Sequence, residues 1–330
     1  MKPLRHLSAA EVTLAMPPLG ERLELAERTM RALGVEAEFP PKIGVHLRQP
    51  GSLAQAMPAL LRGGAPDGSA DLLGAKWIAG FPENPGLGLP AYHAVVVLND
   101  PMNGLPLAVM DAAPITAERT AAVSGTAIRH FLPGGLAGRP ALVAILGAGA
   151  QARSHLPVLG YLLPGCAVRL TDVVPARALA LAREAEAIEG VGSITPVSGV
   201  RDAVESADVV ISVVSLGPDR QKLHPATVGP RTLFVAVDHD MQAPAALAHE
   251  ALFAVDDRDQ FLAARSGLVF AGYPDPDATL GELFRGEALG AAATGRVLVT
   301  HLGVGLADVV FASAVFERAE RMGLGRLLRR

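Results

Sequence analysis

The sequence predicts an α/β protein in which a doubly wound parallel sheet is joined to a second domain of α+β type. Between about residues 116 and 300, strand-like and helix-like segments alternate, which is typical of a parallel sheet covered by helices. Residues 1–115 instead hold several extended segments in succession, which favours antiparallel pairing. The chain has 330 residues, more than one hydrophobic core usually serves, so separate domains are expected.

The first 115 residues begin with an amphipathic helix. Apolar residues recur at steps of three and four from Leu19 to Leu33, and Gly34 follows as a terminal glycine. Extended segments come next, at residues 42–47, 72–78, 94–98 and 105–111. The last two flank the turn-forming sequence Asn99-Asp-Pro-Met-Asn-Gly104, so we expect them to form a hairpin.

Six strands are expected in the middle region, at residues 141–146, 167–172, 194–198, 209–214, 232–238 and 252–256. Ligands of doubly wound sheets lie beyond the carboxyl ends of the strands, here near Gly147, Asp172, Ser215 and residues 238–240. Residues 301–330 have an apolar, helical pattern, and we expect them to return to the first part of the chain.

A glycine turn follows the first of these strands, in Leu142-Val-Ala-Ile-Leu-Gly-Ala-Gly-Ala-Gln-Ala-Arg153. Gly147 permits the tight turn, Gly149 lets the backbone approach phosphates, and Ala152 replaces a third glycine where helix and strand pack closely. Such a turn alone could be purely structural, but the strand before it and the helical pattern after it favour a Rossmann-type pyrophosphate site. That predicted site comprises Gly147, Ala148, Gly149, Ala150, Gln151 and Ala152.

An acidic residue ends the second strand of this region. Asp172 lies about 20 residues beyond the glycines, where a carboxylate accepts hydrogen bonds from the adenosine ribose hydroxyls. A carboxylate there also repels a 2′-phosphate, so the sequence predicts NAD(H) as the preferred cofactor. Arg177 follows closely and could bind a 2′-phosphate, so NADP(H) is not excluded.

Composition argues against several classes of protein. A net charge of −4 gives no reason to expect nucleic acid or an anionic membrane as a partner. The single cysteine, Cys166, excludes an intramolecular disulfide, and no apolar leader follows Met1, so a cytoplasmic location is expected. Residues 297–316 are apolar, but the central Asp308 would cost about 2.5 to 3.5 kcal/mol in a membrane, so we expect a buried core element.

Four charged residues stand where chemistry could use them. Arg119 could clamp a carboxylate through two hydrogen bonds, or it could be a surface residue paired with Glu118. Lys76 lies in an apolar segment, although on a strand it could point to solvent. Asp240 follows a strand whose end suits the nicotinamide of a cofactor, but it could instead cap the next helix. Lys42 could be an exposed strand charge.

The sequence does not support metal or covalent catalysis. The nine histidines have neither ligand spacing nor partner cysteines, so we predict no metal site. There is no Gly-x-Ser-x-Gly elbow, and no base is evident for Cys166.

Six motifs in a fixed order give nearly the whole chain a resemblance to a known family. They are Gly74-Ala-Lys76, Leu98-Asn-Asp-Pro-Met-Asn-Gly104, Ile115-Thr-Ala-Glu-Arg-Thr-Ala-Ala122, Leu146–Arg153, Phe253-Ala-Val-Asp-Asp257 and Gly303-Val-Gly-Leu-Ala-Asp308. Together they resemble the ornithine cyclodeaminase/mu-crystallin family. The resemblance implies a Rossmann domain at residues 116–300, a substrate-binding and dimerisation domain at residues 1–115 completed by a C-terminal helix at residues 301–330, and a homodimer.

The resemblance also implies roles for individual residues. It makes Arg119 a carboxylate clamp, Lys76 a substrate-binding residue able to transfer a proton, and Asp240 the acid or base near the reacting amine. Members of the family include cyclodeaminases, alanine dehydrogenases and ketimine reductases, so small amino or imino acids are the expected substrates. Three further residues are assigned to the cofactor site: Ser215, Val237 and His301.

Departures from the family pattern bear on the activity. Lys42 stands where a carboxylate-binding Arg is usual, and His301 replaces a small hydroxyl residue. Val237-Asp-His-Asp240 replaces a glycine-bearing segment, and Gln55 stands in place of a Glu-containing pattern. Because Gln55 carries no charge, a site for the distal ammonium of a diamino acid is weakened. We therefore expect an NAD-dependent imine reductase or amino acid dehydrogenase, with a cyclodeaminase or a crystallin-like binding protein as alternatives.

Overall fold

The computed structural model describes residues 3–63, 68–132, 136, 138–217, 219–267, 269–287 and 295–329. The chain divides into two compact units. The N-terminal unit comprises Met1–Arg119 together with Gly303–Arg330, and the central unit comprises Thr120–Leu302. Arg119 and Asp308 therefore belong to one unit although they lie far apart in sequence.

A mixed sheet forms the centre of the N-terminal unit. Its strands are β1 (Leu4–Leu7), β2 (Ala37–Glu38), β3 (Ile43–His46), β4 (Leu53–Leu61), β5 (Leu72–Gly80), β6 (Tyr92–Asn99), β7 (Pro106–Asp111) and β16 (Arg326–Leu328). The strand order is β16-β1-β7-β6-β5-β4-β2, and β3 also pairs with β4. Strands β1 and β7 are parallel, and the other pairs are antiparallel. The predicted hairpin is confirmed as β6 and β7, whose turn is closed by the Asp100 N–H donating to the Leu105 carbonyl.

Strand β4 was not among the predicted elements. Its sequence, Leu-Ala-Gln-Ala-Met-Pro-Ala-Leu-Leu, has no β-branched residue, and its Pro58 would ordinarily argue against a strand with neighbours on both sides. Pairing along its whole length with β5 determines the conformation instead.

Three helices complete the N-terminal unit: α1 (Ala9–Ala15), α2 (Leu19–Ala32) and α10 (Gly305–Met322). Ser8 begins α1 with a capping box, in which its side chain accepts from the Glu11 N–H and Glu11 bonds back to the Ser8 N–H. Helix α10 packs on β4, β5, α1 and α2. A Cβ at Gly305 would lie 2.7 Å from the Met57 carbonyl oxygen, so glycine lets α10 begin directly against β4.

A parallel sheet of eight strands forms the central unit. They are β8 (Leu142–Leu146), β9 (Cys166–Thr171), β10 (Val191–Pro196), β11 (Val209–Ser212), β12 (Leu233–Ala236), β13 (Leu252–Val255), β14 (Ala278–Thr279) and β15 (Val297–Thr300). Their order is β10-β9-β8-β11-β12-β15-β13-β14. From β8, the strands β9 and β10 are added on one side, and the strands from β11 onward are added on the other side. This order confirms the predicted doubly wound, Rossmann-type sheet.

Helices of the central unit are α4 (Ala150–Leu162), α5 (Pro175–Glu184), α6 (Val200–Val204), α7 (Ala245–Glu250), α8 (Arg258–Ser266) and α9 (Leu280–Arg285), and α3 (Ala113–Phe131) runs from one unit into the other. Short 3-10 turns occur at Asn84–Leu87, Ala185–Ala187 and Pro225–Thr227. An aromatic cluster lies in the core of this unit: Phe253, Phe261, Phe270 and Tyr273.

The apolar run at residues 297–316 is two elements, β15 and the first part of α10. Gly303 separates them with a φ of +79°, a left-handed conformation that glycine adopts without strain. Both elements are buried. Across the part of the chain that the structure describes, no helix combines the length and the apolar character that crossing a membrane requires.

Helix α4 packs unusually closely against the turn before β10. A Cβ at Gly160 would lie 2.2 Å from the Glu189 carbonyl oxygen, and a Cβ at Gly190 would lie 2.2 Å from the Gly160 carbonyl oxygen. Both contacts are with backbone atoms, which cannot move aside as a side chain can.

We predict that Gly160→Ala destabilises the protein by about 1 to 3 kcal/mol, because the added methyl group separates α4 from the sheet. Denaturant unfolding followed by circular dichroism measures the loss. Gly86→Ala is the matched control, since a Cβ at Gly86 meets no atom within 4 Å. Equal stability of the two variants would show that the close approach is not needed.

Candidate active site

Three buried charged side chains meet in the N-terminal unit. Lys76 on β5 places Nζ 2.7 Å from Oδ2 of Asp308, and Arg119 on α3 places Nε 3.2 Å from Oδ1 of the same carboxylate. Lys76 is 1%, Arg119 6% and Asp308 0% exposed. The alternative interpretations, in which Lys76 points to solvent and Arg119 pairs with Glu118, are therefore wrong; Glu118 pairs with Arg22 instead.

The backbone around this cluster explains how the three groups meet. Gly303 and Gly305 bring the start of α10 against the sheet, so Asp308, in the first turn of that helix, comes within reach of β5. A Cβ at Gly303 would lie 2.5 Å and 2.8 Å from the two terminal nitrogens of Arg119. Glycine at this position therefore makes room for the guanidinium.

Burial and mutual charge set the ionisation of the cluster. Burial lowers the pKa of Lys76 to about 8, although Asp308 opposes the shift. Burial alone would raise the pKa of Asp308, but Arg119 and Lys76 outweigh it and hold that pKa below its ordinary value. At neutral pH two cations face one anion, so the cluster carries one excess positive charge. Such a cluster suits a ligand with a carboxylate.

Lys42 and Gln55 lie in the same unit, before β3 and on β4 respectively. Lys42 is half-buried and immediately precedes β3. Gln55 on β4 pairs with Gly44 on one side and with Ile78 on the other. Because Met57 pairs with Lys76 in the same ladder, Gln55 lies on the same face of the sheet as Lys76, two pairs further along.

The glycine turn of the central unit has the geometry that a pyrophosphate needs. Gly147 has a φ of +102°, and a Cβ there would lie 2.9 Å from the Val213 carbonyl oxygen. A Cβ at Gly149 would meet no atom within 4 Å, so the space above it is open. Gly149 begins α4 with no side-chain cap, and Oε1 of Gln151 is buried with no hydrogen-bond partner. The open space and the uncapped N–H groups fit an anion, whereas the Gln151 oxygen only accepts hydrogen bonds and does not contribute to binding one.

Asp172 lies directly beside this turn, at the end of β9. Its carboxylate accepts from the Ala148 N–H through Oδ2 and from the Val174 N–H through Oδ1, both at 2.8 Å. Each oxygen retains a further lone pair for a ribose hydroxyl. Arg177 is exposed on α5, and Ser215 is exposed beyond the end of β11.

Asp240 is buried in a strained loop that follows β12. Its φ is +74°, its Oδ2 accepts from the Phe270 N–H at 2.8 Å, and its Oδ1 is buried without a hydrogen-bond partner. Burial raises the pKa of this carboxyl, and the Phe270 N–H opposes the shift. The helix-cap alternative is wrong, because Pro244 precedes α7 and the Ala245 N–H donates to Gln221.

A second buried carboxyl, Asp238, lies two residues earlier and was not assigned a role from the sequence. It bonds to the Ser212 hydroxyl and accepts from the Met241 N–H. Burial raises its pKa to about 7, although the hydrogen bonds with Ser212 and Met241 oppose the shift.

Val237 and His301, which were assigned to the cofactor site, both follow strands of the parallel sheet. Val237 donates its N–H to the Ser212 carbonyl, which continues the strand pairing. His301, directly after β15, donates its N–H to the Ala236 carbonyl.

Among the described residues, no group of three or more His, Cys, Asp or Glu side chains could hold a metal ion. Cys166 is buried as the first residue of β9.

Comparison with known proteins identifies the family. The model of the ornithine cyclodeaminase/mu-crystallin family matches residues 5–323. The chain belongs to this family. The protein is 33% identical over 332 residues to the nodulation efficiency protein NfeD of Rhizobium meliloti, with 99% of this chain and 98% of that protein aligned. It is 32% identical over 251 residues to the mouse ketimine reductase mu-crystallin, covering 75% of this chain and 76% of the mouse protein.

A solved structure shares the architecture. An archaeal alanine dehydrogenase dimer with bound NAD superposes with a TM-score of 0.81 at 25% identity, covering 99% of both chains. The family resemblance recognised from the six motifs is thereby confirmed, as is the expected fold class.

Asp308, like Asp238, is a residue of the candidate site that sequence reasoning did not assign. It ends the last of the six family motifs, and within residues 297–316 it is the only acidic or basic residue apart from His301. A lone carboxylate in an apolar stretch requires a buried cation, and this signal could have linked it to Lys76 and Arg119.

We predict that Asp308→Asn destabilises the protein by about 3 to 5 kcal/mol, because it leaves two buried cations without their anion. Lys76→Met, a substitution of similar length, should cost less, since Asp308 keeps Arg119. Denaturant unfolding at pH 7 compares the two variants. A smaller loss for Asp308→Asn than for Lys76→Met would contradict the central place of the carboxylate.

We predict that Asp238→Asn changes how stability depends on pH. A carboxyl whose pKa rises from 3.8 to about 7 on folding binds its proton more tightly in the folded state. Its contribution to stability is therefore present at low pH and is lost as pH rises toward 7. Relative to the unmodified protein, the Asn variant should gain thermal stability between pH 5 and pH 8. A pH-independent difference in melting temperature would refute the assignment.

Proposed function

We propose that the protein is an NAD(H)-dependent oxidoreductase that transfers hydride between nicotinamide and the Cα of a small α-imino or α-amino carboxylate. The observation that carries the proposal is the buried cluster of Lys76, Asp308 and Arg119, with its excess positive charge. Relatives named as a ketimine reductase and an alanine dehydrogenase support the reaction class.

Arg119 and Lys76 bind the substrate carboxylate in this proposal. Arg119 contacts Asp308 through Nε, so its two terminal nitrogens provide the parallel donors that a carboxylate accepts. Asp308 holds both cations in position before substrate arrives, which reduces the entropy lost on binding. Lys42 and Gln55 are proposed to contact the substrate further along the sheet.

The central unit is proposed to hold the dinucleotide. Residues 147–152 would bind the pyrophosphate, Asp172 the adenosine ribose, and Ser215, Val237 and His301 the nicotinamide end. The bound cofactor supplies or accepts the hydride. NAD is the bound cofactor of the similar archaeal alanine dehydrogenase, and the carboxylate of Asp172 disfavours the 2′-phosphate of NADP.

Two groups of this chain are suited to exchange the substrate proton. An imine accepts hydride far more readily when protonated, and a carboxylate stabilises the resulting cation. Asp240 is proposed for this role, because its buried Oδ1 lacks a partner and burial raises its pKa. Lys76, with a pKa of about 8, is the second group that can give or take a proton near neutral pH.

A screen of substrates with NADH and NADPH tests the proposal. Cyclic imino acids, and 2-oxo acids with ammonia or amines, are offered while absorbance of the reduced cofactor is followed. Stoichiometric loss of NADH with one of these carboxylates is expected. In a parallel assay with NAD+, ammonia release from a diamino acid without net formation of NADH would identify a cyclodeaminase instead. No NADH binding at all would overturn the proposal.

We predict that Arg119→Lys raises KM strongly and leaves NADH affinity nearly unchanged. The charge remains, but the two parallel donors are lost. Steady-state kinetics measure KM, and fluorescence titration measures NADH binding. Unchanged kinetics with every substrate would remove Arg119 from the carboxylate site.

We further propose that the protein is a cytoplasmic homodimer formed through the sheet of the N-terminal unit. An apolar row crosses four neighbouring strands on the face away from Lys76: Ile43, Ala56, Trp77 and Val95 are consecutive partners in the ladders. Ile43 is 55%, Trp77 46% and Val95 39% exposed in the single chain. A contiguous exposed apolar row of this kind is typical of an interface, and the similar alanine dehydrogenase is a dimer.

We predict that Trp77→Glu dissociates the dimer, because two buried carboxylates would face an apolar surface. Light scattering coupled to size-exclusion chromatography gives the molar mass. Leu14→Glu is the control, since Leu14 is exposed on α1, outside this sheet. A dimer that survives Trp77→Glu would place the interface elsewhere.

A further inference from the structure

A chain of three buried side chains runs through the central unit. The Gln151 carbonyl oxygen lies 2.6 Å from Nδ1 of His155, whose Nε2 lies 2.8 Å from Oγ of Ser124. The same Ser124 Oγ lies 2.9 Å from Nε2 of His301. All three side chains are buried. The chain thus begins at the first turn of α4 and ends directly after β15.

The protons in this chain can be placed from chemistry. A carbonyl oxygen only accepts, so Nδ1 of His155 must carry a hydrogen. Burial lowers the pKa of His155 to about 4, so the ring is neutral at pH 7 and its Nε2 accepts. The Ser124 hydroxyl must therefore donate its one hydrogen bond to that nitrogen. Its oxygen then accepts from His301, which therefore carries a hydrogen on Nε2.

His301 occupies an informative position in the sheet. Strand β15 lies between β12 and β13, and all three are parallel, so their carboxyl ends share one edge. The His301 N–H bonds to Ala236 at the end of β12. In a doubly wound sheet this edge receives the ligand, and the strands beyond β11 lie on the nicotinamide side of the crossover point.

We propose that Ser124 and His155 are positioning residues that hold His301 in its Nε2–H tautomer and in one ring orientation at the nicotinamide end of the cofactor site. The proposal rests on the proposed use of NAD(H). Neither residue needs to touch the cofactor. Ser124 supplies the acceptor that selects the tautomer, and His155 orients the Ser124 hydroxyl by accepting its hydrogen bond.

Nitrogen NMR of the free protein tests the tautomer directly. The protein is labelled with ¹⁵N-histidine, and the His301 signals are assigned by their loss in His301→Gln. Long-range proton–nitrogen correlations at pH 7 should show that Nε2 of His301 carries a hydrogen and that Nδ1 carries none. Ser124→Ala should give a mixture of tautomers, and Ser124→Thr should restore the single form. An Nδ1–H tautomer, or a mixture in the unmodified protein, would overturn the proposal.

Binding of two ligands separates positioning of His301 from a general structural role. NADH has the nicotinamide, whereas ADP-ribose has the pyrophosphate and adenosine ribose but no nicotinamide. Ser124→Ala should weaken NADH binding by about fivefold to tenfold, as expected for loss of one well-placed buried group, and should leave ADP-ribose binding within about twofold. Ser124→Thr should recover NADH affinity.

Equal weakening of both ligands would mean that the chain only supports α4, which would overturn the proposal. Failure of the unmodified protein to bind either ligand would instead overturn the use of NAD(H). The NMR spectrum of the free protein would then still decide whether Ser124 sets the tautomer of His301. The two failures are therefore distinguishable.

Discussion

The carboxylate of Asp308 is the group on which the proposed substrate site depends. A buried anion requires compensation, and two cations from separate elements provide it: Lys76 from β5 and Arg119 from α3. The same attraction fixes both cations where substrate is proposed to bind. Since two positive charges share one negative charge, the cluster remains able to attract a further anion. The burial of these charges and the proposed affinity for a carboxylate thus depend on one interaction.

The path of the chain is arranged around this interaction. After β15 the chain leaves the parallel sheet, turns at Gly303 and enters α10 at Gly305, which rests on β4. A side chain at either glycine would meet the Arg119 guanidinium or the Met57 backbone. The last part of the sequence therefore completes the unit formed by the first part. The central unit keeps the glycine turn, Asp172 and the Asp238–Asp240 loop at strand ends, as a dinucleotide site requires.

Local patterns in the sequence predicted the parallel sheet, the glycine turn and the hairpin of β6 and β7, because each depends on residues that are neighbours in the chain. Strand β4 escaped prediction because long-range pairing determines its conformation. The partnership of Asp308 with Lys76 and Arg119 escaped for the same reason, since the three residues meet only in the folded chain. Lys76, Arg119 and Asp240 were singled out from the sequence as charged residues of interest, but their burial and their contacts follow only from the folded chain.

The pKa of Lys76 tests the central claim most directly. The protein is labelled with ¹³C at the lysine ε-carbons, and the Lys76 signal, assigned by its loss in Lys76→Met, is followed by NMR as pH rises. The buried ion cluster predicts a pKa of about 8, and a still lower value in Asp308→Asn, where the opposing carboxylate is gone. Titration of Lys76 near the ordinary lysine value of 10.5, unchanged in Asp308→Asn, would contradict the account.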